Sequence, residues 1–161
     1  MTRGLPAALG LLAALSCASS TAAGMLKLSR TELTLAPGKP RGELSVENAG
    51  DTALYLDVVQ ELVATPGQIP EKRVPVGNVT SPGLLIVPDR LVLSPGQKQR
   101  MTLKVLQTPP QTQVWRVTFR PRERIRIDAQ QPGIRPAPVF ISVGYGVVIY
   151  QLSGSQVREK Q

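Results

Sequence analysis

The chain has 161 residues, of which 42% are hydrophobic, 4% aromatic and 19% charged, with 15 Pro, 14 Gly, one Cys and no His. That length fits one domain, and the apolar fraction is high enough to bury a core despite a formal charge of +8. Without His, Ser-His-Asp and Cys-His catalysis and every His-ligated metal site are excluded, and a lone Cys excludes an internal disulfide and a zinc cluster.

Arg3 opens an otherwise uncharged stretch that runs to Leu26. Within it Leu5 to Leu15 is almost wholly Ala and Leu, and the small residues Ser16 to Ala23 follow. A short basic start, an apolar run of about a dozen residues and a small-residue end make a secretory signal peptide, because the run is too short to span a bilayer as a mature helix. Cleavage after Ala23 is expected, with residues 1–23 as the leader, residues 24–152 as the folded domain and residues 153–161 as a polar tail. A lipoprotein site at Cys17 competes with this reading, but in Ala14-Leu15-Ser16-Cys17 the Leu stands one place later than the lipidation motif requires. The mature chain is expected to hold no integral membrane segment.

The remainder reads as short strands. Leu44 and Val46 alternate with Glu43, Ser45 and Glu47; Met101, Leu103 and Val105 alternate with Arg100, Thr102 and Lys104; Trp115, Val117 and Phe119 alternate with Arg116, Thr118 and Arg120. A period of two with one apolar and one polar face marks strands that lay one side on a core. Turn signals separate these runs, among them Pro37-Gly38, Asn48-Ala49-Gly50-Asp51, Pro66-Gly67, Ser81-Pro82-Gly83, Ser94-Pro95-Gly96 and Pro132-Gly133. Strands are predicted over residues 26–35, 42–48, 53–62, 83–87, 97–106, 113–120 and 139–150. Seven short strands at this spacing predict an all-β, two-sheet sandwich.

The last of these is out of proportion. It places Val139, Ile141, Val143, Tyr145, Val147 and Ile149 on one face and carries no charge. Fully extended it would reach about 40 Å, and soluble proteins avoid a long, flat, uncharged strand at a sheet edge. Either it is a central strand buried on both faces, or it offers its apolar row to another chain by strand addition.

The order of motifs resembles the periplasmic pilus chaperones of the chaperone/usher pathway. Carrying the likeness are Leu28-Ser29-Arg30-Thr31, then Leu44-Ser45-Val46-Glu47-Asn48, then the block from Ser81-Pro82-Gly83 through Leu91 and Ser94-Pro95-Gly96 to Lys98 and its alternating strand. Val114-Trp115-Arg116-Val117-Thr118-Phe119-Arg120-Pro121 and the long strand follow in the same order. The resemblance implies a seven-stranded immunoglobulin-like sandwich of the PapD-like N-terminal domain type, in the periplasm, acting without catalysis or cofactor. It also implies donor-strand complementation, in which the last strand completes a pilus subunit that lacks one strand. Val139, Ile141, Val143 and Tyr145 would then be the donor residues, with pilus subunits and an outer-membrane usher as partners and no nucleic acid.

Two departures stand out. The family clamps a subunit carboxylate with an Arg on the first strand and a Lys on the seventh; here Glu32 and Val148 occupy those places, and Arg30, two residues earlier, is the candidate anchor. The family also carries a second sandwich after this point, where this chain has its polar tail. A structural or adhesive immunoglobulin-like module of the cell envelope is the alternative. The basic cluster Arg116, Arg120, Arg122, Arg124, Arg126 and Arg135 reads as a solvated strand face running into a loop, since it lacks the interleaved aromatics of a nucleic-acid platform. Asn78-Val79-Thr80 reads as a turn, and Asp57 and Glu61, about 13 Å apart on a strand, as surface charges.

Overall fold

Alternation becomes architecture as the small-polar and Pro-Gly segments turn the chain and the apolar faces close on each other. The computed structural model describes residues 25–122, 125–127, 139–141 and 144–154; the signal peptide expected over residues 1–23 lies outside them. In chain order the strands are β1 (Leu26–Leu28), β2 (Glu32–Leu35), β3 (Leu44–Asn48), β4 (Leu54–Val63), β5 (Arg73–Pro75), β6 (Leu84–Val87), β7 (Arg90–Leu93), β8 (Lys98–Val105), β9 (Gln113–Pro121), β10 (Ile125–Ile127), β11 (Val139–Ile141) and β12 (Tyr145–Gln151), with one 3-10 turn at Val76–Asn78. Gly38 and Gly96 follow Pro37 and Pro95 with φ of +72° and +73°. Pro fixes the first corner of such a turn and Gly supplies the left-handed second corner.

Two sheets form the sandwich. One runs β1-β3-β8-β6, and the other β2-β12-β9-β4-β5, with β7 paired to β4. Their facing rows make one core around Trp115, Phe119, Leu44, Leu54, Leu56, Met101 and Ile149, each 2% exposed or less. Burial of an aromatic or large aliphatic side chain contributes about 1.5–3 kcal/mol, so this row dominates the folding energy. Buried amide side chains tie the sheets together. Gln60 on β4 donates to Leu84 O (2.9 Å) and accepts from Ile86 N (3.1 Å), bonding the backbone of β6 across the sandwich. Asn48, wholly buried, donates to Thr52 O (2.7 Å) and Leu93 O (2.9 Å) and accepts from Gly50 N (3.0 Å), closing the β3–β4 corner.

The predicted first and last strands are each broken in two. Residues 26–35 split at Ser29 to Thr31: β1 pairs antiparallel with β3, whereas β2 crosses to the other sheet and pairs parallel with β12. Ser29 Oγ accepts from Ser45 N (2.9 Å) at the crossover, and Thr31 O accepts from Val148 N (2.9 Å) on arrival. Residues 139–150 divide into β11, which pairs with β10 in a separate two-stranded ribbon, and β12, which pairs with β9. Tyr145 faces Phe119 but Ile141 faces Ile125, so four residues on one side span six on the other. The β9–β12 ladder ends at the Phe119–Tyr145 pair, two residues before Pro121, the last residue of β9.

Candidate functional site

Strand β12 is held by what lies under it. Val147 and Ile149 are buried in the core, and Tyr145 packs against it, so the odd-numbered row of the last strand faces its own sandwich from residue 145 onward. Below Ile149, Gln151 is 2% exposed. It accepts from Trp115 Nε1 (3.0 Å) and donates to Gly83 O (3.0 Å) and Gln107 O (2.9 Å). One amide thus locks the end of β12 to β9 and to the segment that enters β6 in the opposite sheet.

The N-terminal half of the same strand is differently placed. β2 covers the edge of β12 from Val148 to Gln151, while Tyr145, Gly146 and Val147 pair with β9 alone. Among the described residues this leaves one edge of β12 bare over three residues, and β11 beyond it belongs to neither sandwich sheet. Of the predicted donor residues, Val139 and Ile141 lie on β11 and Tyr145 opens β12, whereas Val143 falls outside the described residues. A single twelve-residue strand is not what forms; two shorter strands in different sheets carry that row.

The two positions matched to the family's clamp do come together. Glu32 and Val148 are cross-strand partners between β2 and β12, with Glu32 exposed. Arg30 lies in the crossover just before β2, exposed. Across β12 on its other side stands Arg116, paired in register with Val148, and beyond it Glu61 on β4. The row Glu61, Arg116, Val148, Glu32 therefore runs across the outer face of the larger sheet.

Arg116 is not the free surface cation that its alternating strand suggests. Glu71, in the loop between β4 and β5, accepts from Arg116 Nε (2.8 Å) and Nη2 (3.2 Å), and also from Arg73 Nε (2.8 Å). These bonds, led by that from Arg116, hold the Glu71 carboxyl below the usual carboxylate range and raise the Arg116 guanidinium above its own. Asp57 is paired with Arg122 (2.6 Å) and Arg90 (3.8 Å), and its hydrogen bond from Arg122 keeps its carboxyl low as well. Two arginines of the predicted basic cluster are thus neutralised, and Asp57 and Glu61 are ion-paired surface charges. The Glu71–Arg116 pair spans 45 residues, a separation that no local pattern signals. A groove of about 550 Å3 lies beside it, lined by Gln68, Ile69, Val114, Val148 and Tyr150 among others.

Among the described residues no helix is long and apolar enough to cross a membrane, and no group of three or more His, Cys, Asp or Glu is placed to hold a metal ion. No protein-family model and no curated protein matches the chain. Solved structures do. A chain in the chaperone–tip adhesin complex of CFA/I fimbriae biogenesis superposes with a TM-score of 0.63 at 20% identity, covering 81% of this chain and 58% of its own. The class 5 fimbriae chaperone CfaA gives 0.61 at 19% identity, covering 80% and 56%. The complex of Salmonella enterica SafA pilin with the SafB chaperone gives 0.55 at 14%, covering 84% and 58%. The chain has the fold of a PapD-like, immunoglobulin-like domain of the fimbrial chaperones, and it spans somewhat over half the length of these structures.

Proposed function

We propose that this chain binds fimbrial subunits by strand addition, as a chaperone of the chaperone/usher type, exported to the periplasm by residues 1–23 and folded over residues 24–152. The observation that carries the reading is the bare edge of β12 at Tyr145 to Val147, prolonged by a β11 that belongs to neither sandwich sheet. A subunit strand laid along that edge would take main-chain hydrogen bonds for affinity and read the row Val139, Ile141, Val143 and Tyr145 for selectivity. The core below supports this, because Val147, Ile149 and Gln151 fix the lower half of the strand so that the upper half is presented in a defined register. Arg30, exposed at the crossover beside that edge, is the candidate anchor for a subunit's chain end. Solved neighbours captured with a tip adhesin or a pilin favour this class of partner. An outer-membrane usher belongs to the same reading.

Co-expression with the fimbrial subunits of neighbouring genes, followed by pull-down, tests it. Wild type is expected to recover subunit, and a double Ile141→Asp, Val143→Asp variant to lose it, since a carboxylate on that face would be desolvated without a partner. Equal recovery by both would overturn strand addition and leave a structural or adhesive envelope module.

A further inference from the structure

The bare edge of β12 stops where β2 begins. Thr31 O accepts from Val148 N (2.9 Å), so a strand added along the bare edge at Tyr145 to Val147 has to leave the sheet abreast of Val148. Two groups of opposite charge flank Val148 there, both on the outer face of the sheet. On the edge side stands exposed Glu32. One strand inward, Arg116 lies beside Val148 in the groove below the β4–β5 loop. A side chain reaching over Val148 meets the guanidinium; a chain end at the edge meets Glu32 with Arg30 two residues before it, charges that offset each other.

Glu71 already demonstrates what fits the guanidinium, since its carboxylate makes two hydrogen bonds to Arg116 at 2.8 and 3.2 Å. Planar two-point pairing of this kind is what Arg provides and Lys does not. Two further observations make the carboxylate exchangeable. Arg73 Nε also donates to Glu71 at 2.8 Å, so Glu71 keeps a cation when it gives up Arg116. Ile69, on the same loop, is 100% exposed, so that tip of the loop has no packing to lose as it moves.

We infer that Arg116 is a carboxylate-exchange site, at which an acidic side chain of the added strand displaces Glu71 as that strand docks and leaves Glu71 on Arg73. This rests on the strand-addition reading. It makes the partner an apolar strand with an Asp or Glu near the end that lands at Val148, and it makes Ile69 an apolar contact at the rim of the groove.

Titration of the isotope-labelled full chain with two blocked peptides, acetyl-Thr-Val-Thr-Val-Thr-Glu-amide and its Gln counterpart, followed by NMR at the Arg116 Nε–H and the Glu71 amide, tests the exchange. The Glu peptide is expected to bind about two- to threefold more tightly than the Gln peptide, within the range of one partly exposed ion pair. In Glu71→Gln the preference should widen, because Arg116 is released; in Arg116→Gln it should fall to one. Equal binding of both peptides by wild type, or a preference untouched by Arg116→Gln, overturns the exchange while leaving strand addition standing. A Gln peptide with a free terminal carboxylate that equals the Glu peptide overturns the assignment to a side chain. Failure of every peptide to bind overturns strand addition and the exchange together.

Discussion

Replacing Gln151 with Leu removes the amide that joins β12 to β9 and to the segment leading into β6. Three groups lose a partner: the Trp115 indole N–H at 3.0 Å, Gly83 O at 3.0 Å and Gln107 O at 2.9 Å. A buried N–H left without an acceptor costs about 1–3 kcal/mol, and an under-satisfied carbonyl rather less, roughly 1 kcal/mol each. Burial of the Leu methyls offsets about 1 kcal/mol, for a net loss of about 2–4 kcal/mol. With a urea slope of about 1–3 kcal/mol/M, the unfolding midpoint should fall by about 1 M or more. Trp115→Phe alone leaves a void in the wholly buried indole site and strips Gln151 Oε1 of its donor, a loss of about 2 kcal/mol. In the double variant neither the orphaned N–H nor the orphaned oxygen exists, so the combined loss should fall short of the sum by about 1–2 kcal/mol. Urea unfolding followed by circular dichroism measures all four proteins. Additivity within about 0.5 kcal/mol would refute the claim that this hydrogen bond couples the two positions.

Gly83→Ala attacks the same network from the other side. A Cβ there would sit 2.8 Å from Gln151 Oε1 and 3.1 Å from Gln113 Oε1, and overpacking of this kind should lower the unfolding free energy by about 1–3 kcal/mol in the same assay. Acid titration reads the surface pairs. The carboxyls of Asp57 and Glu71, ordinarily at 3.8 and 4.5, lie lower in the folded chain because Arg122 and Arg116 hydrogen-bond their charged forms. The unfolded chain therefore takes up those protons first, so their stabilisation is complete above about pH 5 and is lost as the pH falls through and below their ordinary values. With no His in the chain, the urea midpoint should be nearly flat between about pH 5 and 8 and fall below that; Arg116→Gln should shrink the acid loss, and a midpoint that rises on acidification would contradict the sign.

How much of this was legible in the sequence depended on how local the cause was. The alternation of Leu44 to Asn48, Lys98 to Val105 and Gln113 to Arg120 predicted β3, β8 and β9 to within a residue or two, because side-chain period is a local property of a strand with one buried face. β5, β7 and β10 escaped notice: each has three or four residues, too few to show a period, and β5 and β7 exist by pairing with β4. The break at Ser29 to Thr31 carries no Pro or Gly. It is imposed by partners elsewhere in the chain, Ser45 on one sheet and Val148 on the other. Residue matching did place Glu32 and Val148 at corresponding points, and the register sets them opposite each other. The Glu71–Arg116 pair and the Gln151 amide were invisible because each joins residues dozens of positions apart, and a polar residue in a strand gives no sign of which face its bonds will lie on.

The strands that end each sheet share a length. β1 and β5 have three residues, and β2, β6 and β7 have four, whereas inside the sheets β3 has five and β4, β8, β9 and β12 have seven to ten. A border of such short pieces gives an incoming chain too few successive amides to extend a sheet without limit. Among the described residues each border therefore offers little to a second copy of the same sandwich, and if strand addition is how this domain binds, the bare stretch of β12 is a short opening in an otherwise guarded rim.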